Sequence, residues 1–173
     1  MKKFLMSLLL VASLAGSAMA ATYATKDFSA NFNGVISVSE PNRNTDNTST
    51  TITYSSSDAT ALEMVSVRFI DHDISVDTTS SDFYANSGLA RTCPTNVATC
   101  RILDDRTAHG TYQGHPYTYT LIEMTYLTTN TKYWLRTRYI IVNSREAIFI
   151  DMLTLEGNSQ ESAGAWLNSL EIK

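Results

Sequence analysis

The segment from Lys132 to Arg138 carries positively charged or aromatic side chains at alternate positions. Residues two apart in an extended strand lie on the same face, so this spacing predicts a row of ligand-binding groups. Guanidinium groups bind carboxylates and phosphates through paired hydrogen bonds, and a tryptophan ring supplies an apolar wall. We interpret the row as a candidate binding face for an anion or small polar ligand, made by Lys132, Trp134, Arg136 and Arg138.

A structural role for the same arginines is the simpler alternative. If two-residue loops join the three strands around this segment, Glu123 lies across from Arg136, and Arg138 lies across from Asp151. Each such pair on a partly solvated surface contributes less than about 1 kcal/mol. Ion pairing and ligand binding both remain open on the sequence alone.

Cysteine chemistry is limited to one pair, Cys93 and Cys100. Such a pair normally closes in an oxidising compartment, and we predict a disulfide that staples a local loop and adds about 2–3 kcal/mol of stability. A redox dithiol usually has two residues between its cysteines, and a structural zinc ion needs four ligands. We therefore expect neither redox activity nor zinc binding here.

The run Asp71-His72-Asp73 has the residue types of a metal site. In a strand, His72 would face away from both aspartates, which excludes a shared ion. If the segment curls instead, Asp71, Asp73 and Asp77 are able to hold a hard cation. Helix capping and solvation are the simpler uses of these carboxylates, and we predict no metal and no cofactor.

A secreted hydrolase with a dispersed site is one alternative function. The long connection from Arg91 to Gly114 contains Asp104, Asp105 and His109, and His115 follows it. Loops of this length are often functional. However, the chain has none of the common local signatures of hydrolases, nucleotide-binding proteins or zinc proteases, and two histidines without a third ligand are a weak zinc signal.

The first twenty residues have the pattern of a secretory signal peptide. Lys2 and Lys3 precede an apolar run from Phe4 to Leu14, and Ala18-Met19-Ala20 is a small-residue cleavage site. We therefore predict a signal peptide over residues 1–20, a single domain over residues 21–173, and a periplasmic or secreted location. The apolar run is shorter than the ~20 residues that a membrane helix needs, so no membrane span is expected.

Loss of this leader makes the chain more acidic. The 13 Lys and Arg residues fall to 11 against 17 Asp and Glu residues, which gives a formal charge near −6. Nucleic acids bind proteins through clustered basic residues. We therefore expect no nucleic-acid partner.

Threonine, serine, tyrosine and isoleucine are abundant, which favours strands. The clearest pattern is a meander of three strands, Tyr117 to Leu127, Lys132 to Val142 and Ala147 to Leu155, separated by turn-forming residues. Nine apolar residues are predicted to share its core face: Ile122, Met124, Tyr126, Leu135, Tyr139, Ile141, Ile148, Ile150 and Met152.

Two helices complete the expected architecture. Thr78 to Leu89 begins with Ser and Thr caps and ends at a glycine, and Asn158 with Glu161 forms a capping box before a second helical segment. We predict an α+β fold, in which a single twisted antiparallel sheet of about six strands packs against a middle helix and a C-terminal helix.

From Phe28 to Ile172 the order of elements resembles the PsbP/DcrB-like family of exported bacterial accessory proteins. The residues that carry the resemblance are Phe32-Asn33-Gly34-Val35, Asp82-Phe83-Tyr84, Gly114-His115-Pro116-Tyr117, the strand Tyr133 to Ile141, and Trp166-Leu167-Asn168-Ser169-Leu170. The resemblance implies an antiparallel sheet with packed helices and a role in assembly or accessory functions rather than catalysis. The chain departs from the family in lacking a lipoprotein cysteine near the cleavage site and in its Cys93–Cys100 loop.

These observations lead to one main hypothesis, an exported non-catalytic accessory or interaction protein with a protein partner in the cell envelope. The alternatives are the secreted hydrolase near residues 91–114 and a small-ligand or anion-binding protein.

Overall fold

Antiparallel strands dominate the computed structural model, which describes residues 20–44, 48–58, 60–71, 93, 95–103, 108–155 and 160–173. The strands in chain order are β1 (Ala21–Ala24), β2 (Phe28–Phe32), β3 (Ser37–Val38), β4 (Asn42–Arg43), β5 (Ser49–Ser57), β6 (Ala61–Ile70), β7 (Ala98–Ile102), β8 (Ala108–Tyr112), β9 (His115–Tyr126), β10 (Lys132–Asn143), β11 (Glu146–Leu155) and β12 (Glu171–Ile172). A helix, α1 (Gln160–Leu167), precedes β12.

These strands form two sheets. The larger sheet has nine strands in the order β3-β5-β6-β11-β10-β9-β7, with β4 also paired to β5 and β8 to β9. The smaller sheet has the order β1-β2-β12. Its last pairing, of β12 with β2, is antiparallel and joins two segments that are distant in the sequence.

The two faces of the nine-stranded sheet carry separate cores. One face, which we call the helix face, includes Val65, Ile140 and Ile150 and packs against β2 and α1. Phe32 of β2 and Trp166 of α1 meet over this face with their ring centroids 6.0 Å apart. The small sheet and α1 therefore form a second layer on the helix face.

The opposite face, which we call the second face, is also buried along its middle strands. Ile122, Met124 and Leu135 form one apolar cluster there. Tyr139 and Phe149 form another, with ring centroids 4.4 Å apart. Burial on both faces explains why residues 147–150 of β11 form a continuous apolar run rather than alternating with polar residues.

The α+β prediction is wrong. The described residues are predominantly strand, with one helix of eight residues and a separate three-stranded sheet. The predicted middle helix, Thr78 to Leu89, lies outside the described residues. The sequence pattern missed β1, β4 and β12 because strands of two to four residues are too short to show alternation. These short segments are strands because their backbones pair with neighbouring strands.

The predicted core face of the meander is also wrong, because its nine residues lie on two faces. Asn143 pairs with Glu146 at the turn, as a two-residue loop requires, but Ile141 pairs with Ala147. Val142 is therefore an extra residue in β10, and this β-bulge changes which residues of β11 face each way. As a result, Ile148 and Ile150 join the helix-face core, opposite the cluster that contains Ile141.

Candidate functional site

The predicted binding row lies along β10, on the helix face. At its outer end, the Lys132 side chain is 44% exposed and its Nζ lies 3.8 Å from Oε2 of Glu123. The same carboxylate lies 3.3 Å from Nη2 of Arg101 on β7. Glu123 therefore shares its single negative charge between Lys132 and Arg101 at the outer end of the row.

Neither predicted arginine ion pair forms. The turn between β9 and β10 spans four residues, with Asn130 in the left-handed region at a φ of 53°, which moves the register by two residues and pairs Arg136 with Leu121. The bulge in β10 pairs Arg138 with Ile150, and Asp151 is buried on the second face.

Arg136 is a buried cation, with only 3% of its surface exposed. Its Nη1 donates a hydrogen bond of 3.1 Å to Oγ1 of Thr154, and its guanidinium lies 5.4 Å from the ring centroid of Trp134. Its Nη2 is buried and has no acceptor, and no carboxylate pairs with the group within the part of the chain that the structure describes. Buried polar atoms in proteins are almost always bonded, so this donor requires an explanation.

Arg138 lies beside it and holds the end of α1. Its Nη1 donates to the carbonyl oxygen of Leu167 and its Nη2 to Oδ1 of Asn168, both at 3.0 Å. The guanidinium lies over the rings of Tyr112, at 4.4 Å, and Tyr117, at 5.4 Å. A cation at a helix C-terminus interacts favourably with the helix dipole. The Nε of Arg138 is buried and lacks an acceptor among the described residues.

A tight hairpin brings Tyr112 against Arg138. Tyr112 pairs with His115 across a two-residue turn in which Gln113 and Gly114 both have positive φ, the geometry of a type I′ turn. The hydroxyl of Tyr112 donates to the carbonyl oxygen of Leu170 at 2.6 Å. Burial raises the pKa of Tyr112, and the charge of Arg138 opposes that effect.

A cleft of about 290 Å³ opens between the two arginines and α1. We call it the arginine cleft, and it is lined by Arg136, Arg138, Tyr117, Tyr119, Gly164 and Leu167, together with Asn168. A Cβ atom placed on Gly164 would have no neighbour within 4 Å, so the glycine leaves this wall open. The cleft thus combines two cations with aromatic and aliphatic surface.

Only one wall of this cleft is predictable from the sequence. Arg136 and Arg138 were identified from their spacing, whereas Trp134 packs against Arg136 and Lys132 lies at the exposed end of the row. The other wall comes from α1, whose Leu167 is 29 positions from Arg138. No local pattern signals that approach, because it depends on how α1 packs on the sheet.

Cys93 and Cys100 are joined as a disulfide, with their Cα atoms 6.1 Å apart. Cys100 lies on β7 and packs beside the cluster of Ile122, Met124 and Leu135. The bond therefore ties the segment before β7 to an outer strand of the nine-stranded sheet.

The residues of the hydrolase hypothesis are not brought together in the described structure. Asp104 and Asp105 lie outside the described residues, and Nδ1 of His115 lies 3.1 Å from the carbonyl oxygen of Val142. Asp71 pairs with Arg43, while Asp73 lies outside the described part. Across the described ranges, no three His, Cys, Asp or Glu residues gather as metal ligands.

A second buried charge lies on the helix face, away from the cleft. Glu63 is 2% exposed and accepts hydrogen bonds from the backbone N of Asn33, at 2.8 Å, and from its Nδ2, at 2.5 Å. Burial raises the pKa of Glu63, and the hydrogen bonds from Asn33 partly oppose the shift. This carboxyl connects β6 to the segment that follows β2.

Comparison with solved structures identifies the architecture. The solution structure of cyanobacterial PsbP from Synechocystis sp. PCC 6803 matches with a TM-score of 0.55 at 12% identity, over 95% of this chain and 99% of that chain. The fold is PsbP-like. At this identity, the PsbP-like fold establishes the arrangement of elements alone.

Other comparisons add little to the PsbP-like assignment. A crystal structure of a Pseudomonas aeruginosa protein of unknown function covers 86% of this chain and 91% of its own, with a TM-score of 0.42 and 10% identity. No family model and no curated protein matches the sequence. Within the described residues, no helix has the length and apolarity that crossing a membrane requires.

Proposed function

We propose that this protein is a non-catalytic binding protein that holds an anionic group in the arginine cleft. The observation that carries the proposal is Arg136, a buried guanidinium whose Nη2 has neither an acceptor nor a carboxylate partner among the described residues. A buried unpaired charge costs several kcal/mol. A bound anion would offset that cost, and Arg138 lies beside it with an unused Nε.

The chemistry of the lining favours recognition over reaction. A guanidinium group carries hydrogen-bond donors and no acceptor, so both arginines interact with a ligand only as cations and donors. The remaining lining groups supply two tyrosine rings with their hydroxyls, an aliphatic side chain and an amide. This set binds and orients an anion, and it contains no carboxylate, imidazole or thiol.

We further propose that binding takes place outside the cytoplasm, in an accessory role with a protein partner in the envelope. The leader pattern of residues 1–20 supports the export part of this proposal, and membership of the PsbP/DcrB-like family would fit it. The PsbP-like fold supports the family part only at the level of architecture. The hydrolase alternative gains no support, because Asp104 and Asp105 lie outside the described residues.

The test is an NMR titration of the domain 21–173 with sodium acetate and with inorganic phosphate at constant ionic strength. We expect saturable shifts of amide signals in β9, β10 and α1 and of the side-chain Nε–H signal of Arg138. These shifts should disappear in Arg136→Met.

Arg68→Met is the matched control. It removes one cation from the second face, where Arg68 donates to Oγ of Ser49, and should leave the titration unchanged. Equal responses in the two variants, or shifts spread evenly over all basic residues, would show that the cleft is not an anion site.

A further inference from the structure

We infer that Gly164 determines how large an anion the arginine cleft accepts, because the body of a bound anion lies against α1 at this residue. This inference rests on the proposed function, since it concerns the same cleft. It adds a residue that sets ligand size to the two arginines that supply the charge. Three features of α1 lead to it: the side that faces the cleft, the space beside Gly164, and the cost of glycine in a helix.

One side of α1 forms a wall of the cleft. Gly164, Leu167 and Asn168 all line the cleft, and residues three and four positions apart lie on the same side of a helix. Arg138 holds the end of this side through its hydrogen bonds to Leu167 and Asn168. Gly164 lies about one turn earlier, ~5 Å along the helix axis. There the wall is the bare backbone of α1, beyond the part that Arg138 occupies.

The space beside Gly164 belongs to the cleft. A Cβ atom added to Gly164 would have no neighbour within 4 Å. A side chain leaves a helix on the side where its residue lies, so a side chain at this position would extend into the cleft. The cleft has a volume of about 290 Å³, which is near the lower end of small-molecule sites. A larger residue than glycine would therefore remove space that a ligand needs.

Glycine has a cost at this position. It lies inside α1, between Ala163 and Ala165, and glycine destabilises a helix interior relative to alanine because its backbone loses more freedom on folding. Neither a positive φ nor a close neighbour requires glycine at residue 164. A residue that lowers stability without a structural reason is typical of a functional site.

The sheet supplies the opposite wall. Tyr119 pairs with Arg138 across β9 and β10, so the two side chains lie on the same face, and Tyr117 lies two positions earlier on that face. An anion held by the arginines would place its body between these rings and the backbone at Gly164. A flat apolar body such as an aromatic ring suits this space. The role of Gly164 is the same for a carboxylate and for a phosphate.

The experiment uses two pairs of anions that differ by one ring: acetate with phenylacetate, and inorganic phosphate with phenyl phosphate. Calorimetric titration of the domain 21–173 measures the four affinities. Because a ring buries additional apolar surface, we expect each phenyl anion to bind at least about tenfold more tightly than its small counterpart. Phenyl anions that bind no more tightly than the small anions would overturn the inference.

Variants of α1 locate the ring. Gly164→Leu should weaken both phenyl anions at least about tenfold, because its side chain occupies the space of the ring, while acetate and phosphate change less than about threefold. Ala165→Leu, at the next and exposed position, adds the same side chain outside the lining and should leave all four affinities unchanged. If Gly164→Leu fails to fold, Gly164→Ala decides, since its methyl group should still weaken the phenyl anions at least about threefold.

Gly164→Ala also tests the cost of glycine. The urea concentration at the midpoint of unfolding should rise, because alanine favours the helix and no neighbour obstructs its methyl group. Higher stability with weaker binding of the phenyl anions is the expected combination. A lower midpoint would show that packing requires glycine, and this result would overturn the inference.

The outcomes separate this inference from the proposed function. If acetate and phosphate bind and Arg136→Met abolishes their binding, while Gly164→Leu leaves the phenyl anions unaffected, the cleft is an anion site and Gly164 does not set ligand size. Equal weakening of all four anions in Gly164→Leu would also overturn the inference, since Gly164 would then support the whole site. No binding of any probe would overturn both proposals.

Discussion

Arg136 and Arg138 are neighbours on one strand with opposite energetic roles. Arg138 bonds the end of α1 and stacks on two tyrosine rings, so its charge contributes to the fold. Arg136 is more deeply buried and leaves Nη2 without an acceptor among the described groups. A residue that costs stability at a cleft is typical of a binding site rather than of a structural ion pair.

This contrast predicts different stability effects for two methionine substitutions. Arg136→Met should leave the free energy of unfolding unchanged or raise it by ~1–4 kcal/mol, since replacing a buried charge with an apolar side chain of similar volume is often favourable. Arg138→Met should lower it by about 1–3 kcal/mol, because hydrogen bonds to the end of α1 are lost. Urea unfolding of both variants measures this difference, and a larger loss for Arg136→Met would contradict it.

The buried carboxyl of Glu63 should make the free energy of unfolding depend on pH. Because burial raises its pKa in the folded state above the usual 4.5, the unfolded chain releases this proton more readily than the folded protein does. The stability associated with the protonated carboxyl is therefore fully present below about pH 4.5 and is lost as the pH rises through the folded-state pKa.

Glu63→Gln should flatten this dependence. We expect the variant to gain stability relative to the wild type as the pH rises from 4 to about 7, because it cannot ionise and its amide is still able to bond Asn33. Urea unfolding at several pH values measures the difference. Glu40→Gln, at an exposed position, is the control, and its stability should vary with pH as that of the wild type does. If the stability of Glu63→Gln also varied with pH as the wild type does, Glu63 would not be the source of the pH dependence.

The positions of the long strands were predictable from the sequence. Which residues of neighbouring strands lie on the same face of the sheet was not. The predicted strands Tyr117 to Leu127, Lys132 to Val142 and Ala147 to Leu155 differ from β9, β10 and β11 by no more than two residues at either end. Alternation within β10 correctly placed Arg136 and Arg138 on one face. The relation of β10 to β11 depends on the bulge at Val142, and no glycine or turn residue marks that position.

Because of the bulge, we expect deletion of Val142 alone to destabilise the protein severely. Removing Val142 would allow regular pairing and turn Ile148 and Ile150 away from the helix-face core, so we expect a loss of more than about 4 kcal/mol or failure to fold. Val142→Ala keeps the residue count and should cost less than about 2 kcal/mol. Urea unfolding compares them, and similar losses would show that the bulge does not determine the faces.

In the molecule as a whole, the end of the chain secures the layer that covers the helix face. Ser29 of β2 donates to Glu171 of β12 at 3.0 Å, and the backbone N of Ile172 donates to Oε1 of Gln113 at 2.9 Å. These contacts link the small sheet, through the strand that follows α1, to the β8–β9 turn.

Deletion of residues 171–173 should therefore affect both stability and binding. We expect a loss of about 2–4 kcal/mol, on the basis of ~1 kcal/mol for each lost hydrogen bond. Anion affinity should also fall, because α1 loses support. Replacing Lys173 alone, whose Nζ donates to the carbonyl oxygen of Thr25, should have a small effect. If the truncated protein bound acetate as tightly as the full domain does, residues 171–173 would not support the anion site.

The pairing of β2 with β12 also has a kinetic consequence. Ser29 and Glu171 are 142 positions apart, and contacts between such distant segments are slow to form during folding. β9, β10 and β11 are joined by short turns and can pair early, whereas the pairing of β2 with β12 requires the last strand of the chain. We therefore expect the pairing of β2 with β12 to form later in folding than the pairing within the meander, so the layer that carries α1 is completed after the sheet beneath it.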